Sequence, residues 1–120
     1  MAAPNLLTST TVTGKTALAN CTTVLANVIT NAVSSGTVVK LNAIVLSNYG
    51  SSTTTANAII NRSGTGSFYL GGTVSVPSNS TLILLGKDTS LYLEEGDVLQ
   101  TIVSTNSTIH LTASYELIAT

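Results

Sequence analysis

The chain has 120 residues, enough for one domain whose single core buries roughly two-thirds of the unfolded surface. Only 8% of residues are charged, four Lys/Arg against five Asp/Glu for a net charge of −1, where an ordinary soluble domain carries about 25%. That excludes the clustered cations that bind nucleic acid or an anionic membrane surface, and the length excludes a two-domain enzyme with a cleft between its halves.

The first residues, Met1 to Lys15, are polar and include Pro4 and Gly14. They read as an extended N-terminal arm, either docked on a neighbour or frayed, ahead of a single domain over 16–120. This start has no basic region and no long apolar stretch, so no secretory signal is expected and folding in a cytoplasm is. Thr16–Thr22 and Val24–Thr30 follow. A helix over Ala17–Val33 is conceivable from its Ala, Leu and Asn. Thr22, Thr23, Val24, Val28, Ile29 and Thr30 are β-branched, however, and favour two strands.

Ser34-Ser35-Gly36 is a turn. Thr37–Asn48 is the longest predicted strand: Val39, Leu41, Ala43 and Val45 share one face, Lys40 and Asn42 the other, and then Ile44 and Leu46 join that second face. Read by strict alternation, the strand passes from half-buried to buried on both sides. Ile44 and Leu46 then need a cover, from a loop, the arm or another subunit. Thr54–Asn61 is a strand closed by the turn Arg62-Ser-Gly-Thr-Gly66. Ser67–Val76 contains Gly71-Gly72, which predicts a bulge or sharp bend. Thr81–Leu85, Ser90–Leu93 and Val98–Val103 are short strands separated by Gly86-Lys-Asp-Thr and Glu94-Glu-Gly-Asp97. In the last strand, Thr108–Leu117, residues Ile109, Leu111, Ala113, Tyr115 and Leu117 alternate with polar ones, one face in and one face out.

About eight or nine short strands with Gly-, Asn- and Ser-rich turns, no helix and no long repeat predict an all-β sandwich, a jelly roll or related Greek key. No apolar run approaches the ~20 residues of a membrane span.

Catalytic candidates are few. His110 is the only histidine and sits on the polar face of the last strand, with no partner placed beside it by spacing. Cys21 is the only cysteine, which precludes an intramolecular disulfide and suits a buried, inert thiol. Asp88, Glu94, Glu95 and Asp97 fall close together and form a weak calcium candidate, though their spacing fits no EF-hand. The alternative is a polar turn in which Gly96 supplies positive φ and Asp97 bonds its own backbone. Paired carboxylates for glycoside chemistry would want a groove and stacking aromatics; aromatics are 4% of the chain, with no Trp. Tyr49, Tyr69 and Tyr92 are the candidates for a sugar-binding surface, and Tyr115 falls on the core face. No enzyme, metal or cofactor is expected. So uncharged a chain, with doubly apolar strands and an arm, points to homo-oligomeric assembly, with Leu6, Leu7, Ile44 and Leu46 as the expected subunit contacts.

Four segments carry a likeness: Val39-Lys-Leu-Asn-Ala-Ile-Val-Leu-Ser-Asn48, Thr73-Val-Ser-Val-Pro-Ser-Asn-Ser-Thr-Leu-Ile-Leu-Leu85, Lys87-Asp-Thr-Ser-Leu-Tyr-Leu-Glu-Glu-Gly-Asp97 and Ala113-Ser-Tyr-Glu116. Through them the stretch from Thr37 to Glu116 resembles small virion proteins of tailed phages, particularly those of marine and cyanobacterial hosts. The resemblance implies a β-sandwich or jelly-roll subunit of the particle, assembled in the host cytoplasm. It implies first a capsid decoration (cement) protein that bridges major-capsid subunits, commonly as a homotrimer at local three-fold points of the head. Neck, tail and fibre-associated proteins look similar. No active-site residue is carried over, and the partners implied are sister chains and other virion proteins.

Overall fold

A computed structural model describes residues 5–8, 11–106 and 108–119. Among them the chain forms nine strands: β1 (Thr11–Asn20), β2 (Ala26–Thr30), β3 (Thr37–Asn48), β4 (Thr54–Arg62), β5 (Gly66–Val76), β6 (Ser80–Leu85), β7 (Leu91–Leu93), β8 (Asp97–Val103) and β9 (Ile109–Ala119). A single 3-10 turn, Lys87–Thr89, lies between β6 and β7. The Thr-, Val- and Ile-rich composition is expressed as strand throughout, as β-branched side chains favour.

Two antiparallel sheets result. One runs β1-β9-β3-β6, with β7 also on β3; the other runs β2-β8-β4-β5. β6 pairs with Ile44–Asn48 and β7 with Val39–Leu41, so β6 and β7 act as one strand broken by the 3-10 turn. Counted so, the pairings nest. The hairpin β4–β5 is innermost, then β3 with β6/β7, then β2–β8, then β1–β9, and successive pairs alternate between the sheets. The chain is one long antiparallel ribbon, rolled up and closed by β9–β3 and β8–β4. This is the double Greek key of a jelly roll, the fold class that strand spacing and turn composition predict.

The inner faces interdigitate. Leu41, Ile44, Leu46, Leu93, Ile109, Leu111 and Ala113 from the first sheet meet Ile29, Ala56, Val76, Leu99 and Val103 from the second. Here the reading of Thr37–Asn48 needs correction. Its pairing with β9 shifts register between Leu41 and Ala43, leaving Asn42 as the extra residue of a β-bulge. One added residue turns every later side chain to the opposite face. Val39 and Leu41 point inward before the bulge, Ile44, Leu46 and Asn48 after it, while Ala43, Val45 and Ser47 are half-buried. Ile44 and Leu46, at 0% and 1% exposure, therefore belong to the core of their own subunit and need no external cover.

The Gly71-Gly72 bend is present. The β4–β5 register breaks on both sides of Ala58, which lies opposite Gly71. A Cβ on Gly71 would lie 2.9 Å from both Leu84 Cδ1 and Val74 Cγ2, so glycine lets β5 close against β6 across the open side of the sandwich. The expected arm is shorter than read. Residues 11–15 form the first half of β1, laddered to Lys15↔Tyr115 and Thr11↔Ala119. Residues 5–8 form a turn in which the Thr8 N–H donates to Asn5 O and the Leu7 N–H to Asn5 Oδ1. Residues 1–4, 9 and 10 of the arm lie outside the described residues.

Candidate functional site

The acidic turns are built as a staple. Gly96 has φ +90°, which a turn at this point needs. Asp97 donates its N–H to Glu94 O at 3.0 Å and accepts the Glu94 N–H on Oδ2 at 2.9 Å, capping its own turn. Arg62 ends β4 directly opposite Asp97, and the register aims its side chain at the carboxylate. Nε donates to Asp97 Oδ1 and Nη2 to Oδ2, both at 2.8 Å, while Nη2 also reaches Glu94 Oε2 at 3.0 Å. Burial alone would raise the Asp97 carboxyl. The Arg62 hydrogen bonds, the Glu94 N–H and the guanidinium charge outweigh it and hold the group below the usual carboxylate range. The same partnership raises Arg62 above its ordinary value.

Asn31, 2% exposed, completes the end of the sandwich. Its Nδ2 donates to Thr37 O and Leu93 O, and its Oδ1 accepts from the hydroxyls of Ser35 and Thr37. Its N–H donates to Asp97 O and its O accepts the Gly96 N–H. Glu95 accepts the Gly36 N–H at 2.7 Å. Of the calcium candidates, Asp97, Glu94 and Glu95 are thus engaged with Arg62 and backbone, and Asp88 stands exposed on the 3-10 turn at the far end of β7. Among the described residues no three His, Cys, Asp or Glu side chains group closely enough to hold a metal ion. Through Arg62, the Glu94 N–H and the Gly36 N–H these carboxylates tie the ends of β4, β7 and β8 to the turn before β3, and Asn31 adds the end of β2. Sequence reading found the turn chemistry of Gly96 and Asp97 but missed Arg62 and Asn31. The only available signal for Arg62 was the scarcity of cations and its place at a strand end.

His110 and Cys21 do not meet. His110 is exposed on β9, its ring 4.4 Å from that of Tyr49 at an interplanar angle of 40°. Cys21 is buried, and its Sγ accepts from Thr101 Oγ1 at 3.8 Å. Burial pushes the thiol up, against the smaller lowering effects of that hydroxyl and a Leu111 backbone hydrogen bond. The exposed tyrosines do not form one platform either. Tyr69 is opposite Ile59 on the outside of the second sheet, and Tyr92 is opposite Lys40 on the outside of the first. No helix among the described residues is long and apolar enough to cross a membrane.

What the structure does display is apolar surface. Leu18, Thr112, Val45 and Ile83 are register partners in one row across the outer face of the first sheet. Leu18 is 78% exposed and Ile83 67%. In the row Gly14, Glu116, Lys40, Tyr92, the two side chains of opposite charge face one another in register. Leu7, before β1, is 95% exposed and Leu6 47%. An open groove beside Leu18 is lined also by Ala19, His110 and Thr112; a second lies between Ile60, Arg62, Thr65 and Phe68.

No protein-family profile matches the chain, and no curated protein matches it. Among solved structures, a chain of the Bacillus endospore appendages, described as a novel family of disulfide-linked pili, is similar. The TM-score is 0.52 over 92% of this chain and 88% of that one, at 11% sequence identity. The likeness is one of fold: a β-sandwich of the same general course.

Proposed function

We propose that this chain is a non-enzymatic structural subunit of a tailed-phage particle, a decoration protein that bridges major-capsid subunits of the head and associates with its own copies. The observation that carries the structural part is the Leu18–Thr112–Val45–Ile83 row, in which Leu18 and Ile83 are left open on a sheet face on either side of the half-buried Thr112 and Val45. Burying Leu18 and Ile83 contributes about 1–2 kcal/mol each before the costs of association. Leu6 and Leu7 add a second exposed apolar element next to β1. The four segments that resemble virion proteins support the particle assignment. Ile44 and Leu46 have no part in the contact.

The test is the double variant Leu18→Ser, Ile83→Ser, both at exposed positions. It is expected to fold as the parent does, to bind heads lacking the protein less well, and to leave those heads more easily disrupted by heat. Unchanged occupancy and an unchanged melting profile would count against the role.

A second reading, a subunit of a neck, tail or fibre, is favoured by the fold likeness to a pilus chain. Such a polymer would be held without disulfides, since the chain's one cysteine, Cys21, is buried. Electron microscopy of the labelled protein on the native particle separates head from appendage.

A further inference from the structure

The sandwich has four sheet edges, and three carry devices that block strand addition. β2 is five residues long, with a register break between Asn27 and Ile29. β5 is bulged at Gly71 and bent at Thr73, where φ is +51°. The β6/β7 edge is interrupted by the 3-10 turn. Short, bulged or broken edges are how monomeric sandwiches avoid pairing with one another. β1 has none of these. It runs ten residues with an unshifted register on β9, contains no proline, and carries one charge, Lys15. Along Thr11–Thr16 and at Leu18 it is exposed, and no strand but β9 pairs with it among the described residues.

We infer that β1 is a two-fold strand-pairing edge whose partner is β1 of a second copy of this chain, joining two sandwiches into one continuous sheet. The inference rests on the self-association proposed above and names its contact. The occupant follows from self-complementarity. An antiparallel pair with a two-fold axis normal to the sheet needs a residue opposite its own copy. Centred on Lys15, it would set two ammonium groups face to face. Centred on Thr16, it sets Thr16 against Thr16, Lys15 against Ala17, Thr13 against Ala19 and Leu18 against Gly14, with no like charges opposed. Threonine pairs are favourable across strands. A Cβ on Gly14 would meet no atom within 4 Å, so the space above it is open to the partner's Leu18, the most exposed apolar side chain of the strand. Nine residues per strand, Val12–Asn20, overlap in this register and supply about eight to ten backbone hydrogen bonds.

Sedimentation of the full chain over the micromolar range reads the contact, together with cysteine cross-linking. The parent is expected to dimerise. Thr16→Lys, at an exposed position, is expected to weaken the dimer by about tenfold or more, because two cations then face across the axis. Thr16→Cys is expected to form an intermolecular disulfide, its Cα being about 4.5–5.5 Å from its copy. Thr13→Cys should not, its copy lying about 20 Å away. A parent that associates, with T16K unchanged and T16C no more cross-linked than T13C, overturns the β1 contact and leaves self-association standing. So does a mass of three chains that T16K does not alter. A parent that stays single at every concentration overturns the self-association reading and this contact with it.

Discussion

The bulge at Asn42 decides which half of β3 faces the core, and truncating two adjacent residues tests it. With the bulge, Ile44 is fully buried and Val45 half-buried on the outer face. Strict alternation from Val39 would reverse them. Ile44→Ala removes three carbons from a site with no solvent contact. Transfer accounts for about 2.4 kcal/mol at roughly 0.8 per methylene, and the residual cavity adds about 1–2. The expected loss is about 3.4–4.4 kcal/mol. A 120-residue chain has an unfolding entropy near 0.25 kcal/mol/K, so Tm should fall by about 14–18 °C. Val45→Ala removes two carbons from a half-buried position and should cost less than about 1 kcal/mol, or about 4 °C. Thermal and urea unfolding followed by circular dichroism, at one low protein concentration to keep association out of the comparison, reads both. A Val45→Ala loss equal to or greater than that of Ile44→Ala would refute the bulge and return Ile44 to the outer surface.

Three further outcomes follow from the buried polar groups. Asp97 titrates below its ordinary value of 3.8 in the folded chain, so the unfolded chain takes up the proton first as pH falls. Its stabilising contribution is complete above about pH 5 and is lost as pH drops through the folded value; urea midpoints should decline over that window, and Asp97→Asn should flatten the decline. The Cys21 thiol titrates above 9.0 when folded, so its contribution is present below that pH and lost above it. A thiol reagent should leave the native chain unlabelled and modify one group in denaturant. Asn48 is 1% exposed, donates to Ser52 O and Val76 O, and accepts the Gly50 N–H. Asn48→Ala should cost about 2–3 kcal/mol, and Asn48→Asp more at neutral pH, because a carboxylate would face two carbonyl oxygens; equal urea midpoints for the two variants would contradict that geometry.

Much of the fold was legible because strand and turn are local properties. The alternation of Ile109 to Leu117 against Thr108 to Glu116 predicts β9 with its inward face, and Gly71-Gly72 predicts a bend that the register confirms. Phase within a strand is not local. Nothing in Val39-Lys-Leu-Asn-Ala-Ile marks Asn42 as an inserted residue, because the bulge exists only relative to β9. The arm was overextended for a related reason: Thr11–Lys15 is polar because β1 lies at an edge with both faces wet, and polarity alone does not tell a wet strand from a loop. At the acidic turns, Asp97 and Gly96 follow from turn chemistry, but Arg62 is 35 residues away and meets Asp97 only through the β4–β8 register.

The same topology explains why β1 is the exposed strand. In a rolled ribbon each strand is sheltered by those outside it in the nesting, and the outermost pair has nothing beyond. β9 escapes exposure by closing the sheet onto β3, which leaves β1 with one neighbour. A long outermost strand then has to be shortened, bulged, charged or covered to stay unpaired. In this chain the shortening, bulging and bending fall on β2, β5 and β6/β7. With only 8% charged residues there is little else to guard β1, which carries only Lys15. Low charge and the rolled ribbon therefore converge on one edge, and a sister strand centred on Thr16 satisfies its backbone without setting one Lys15 opposite the other.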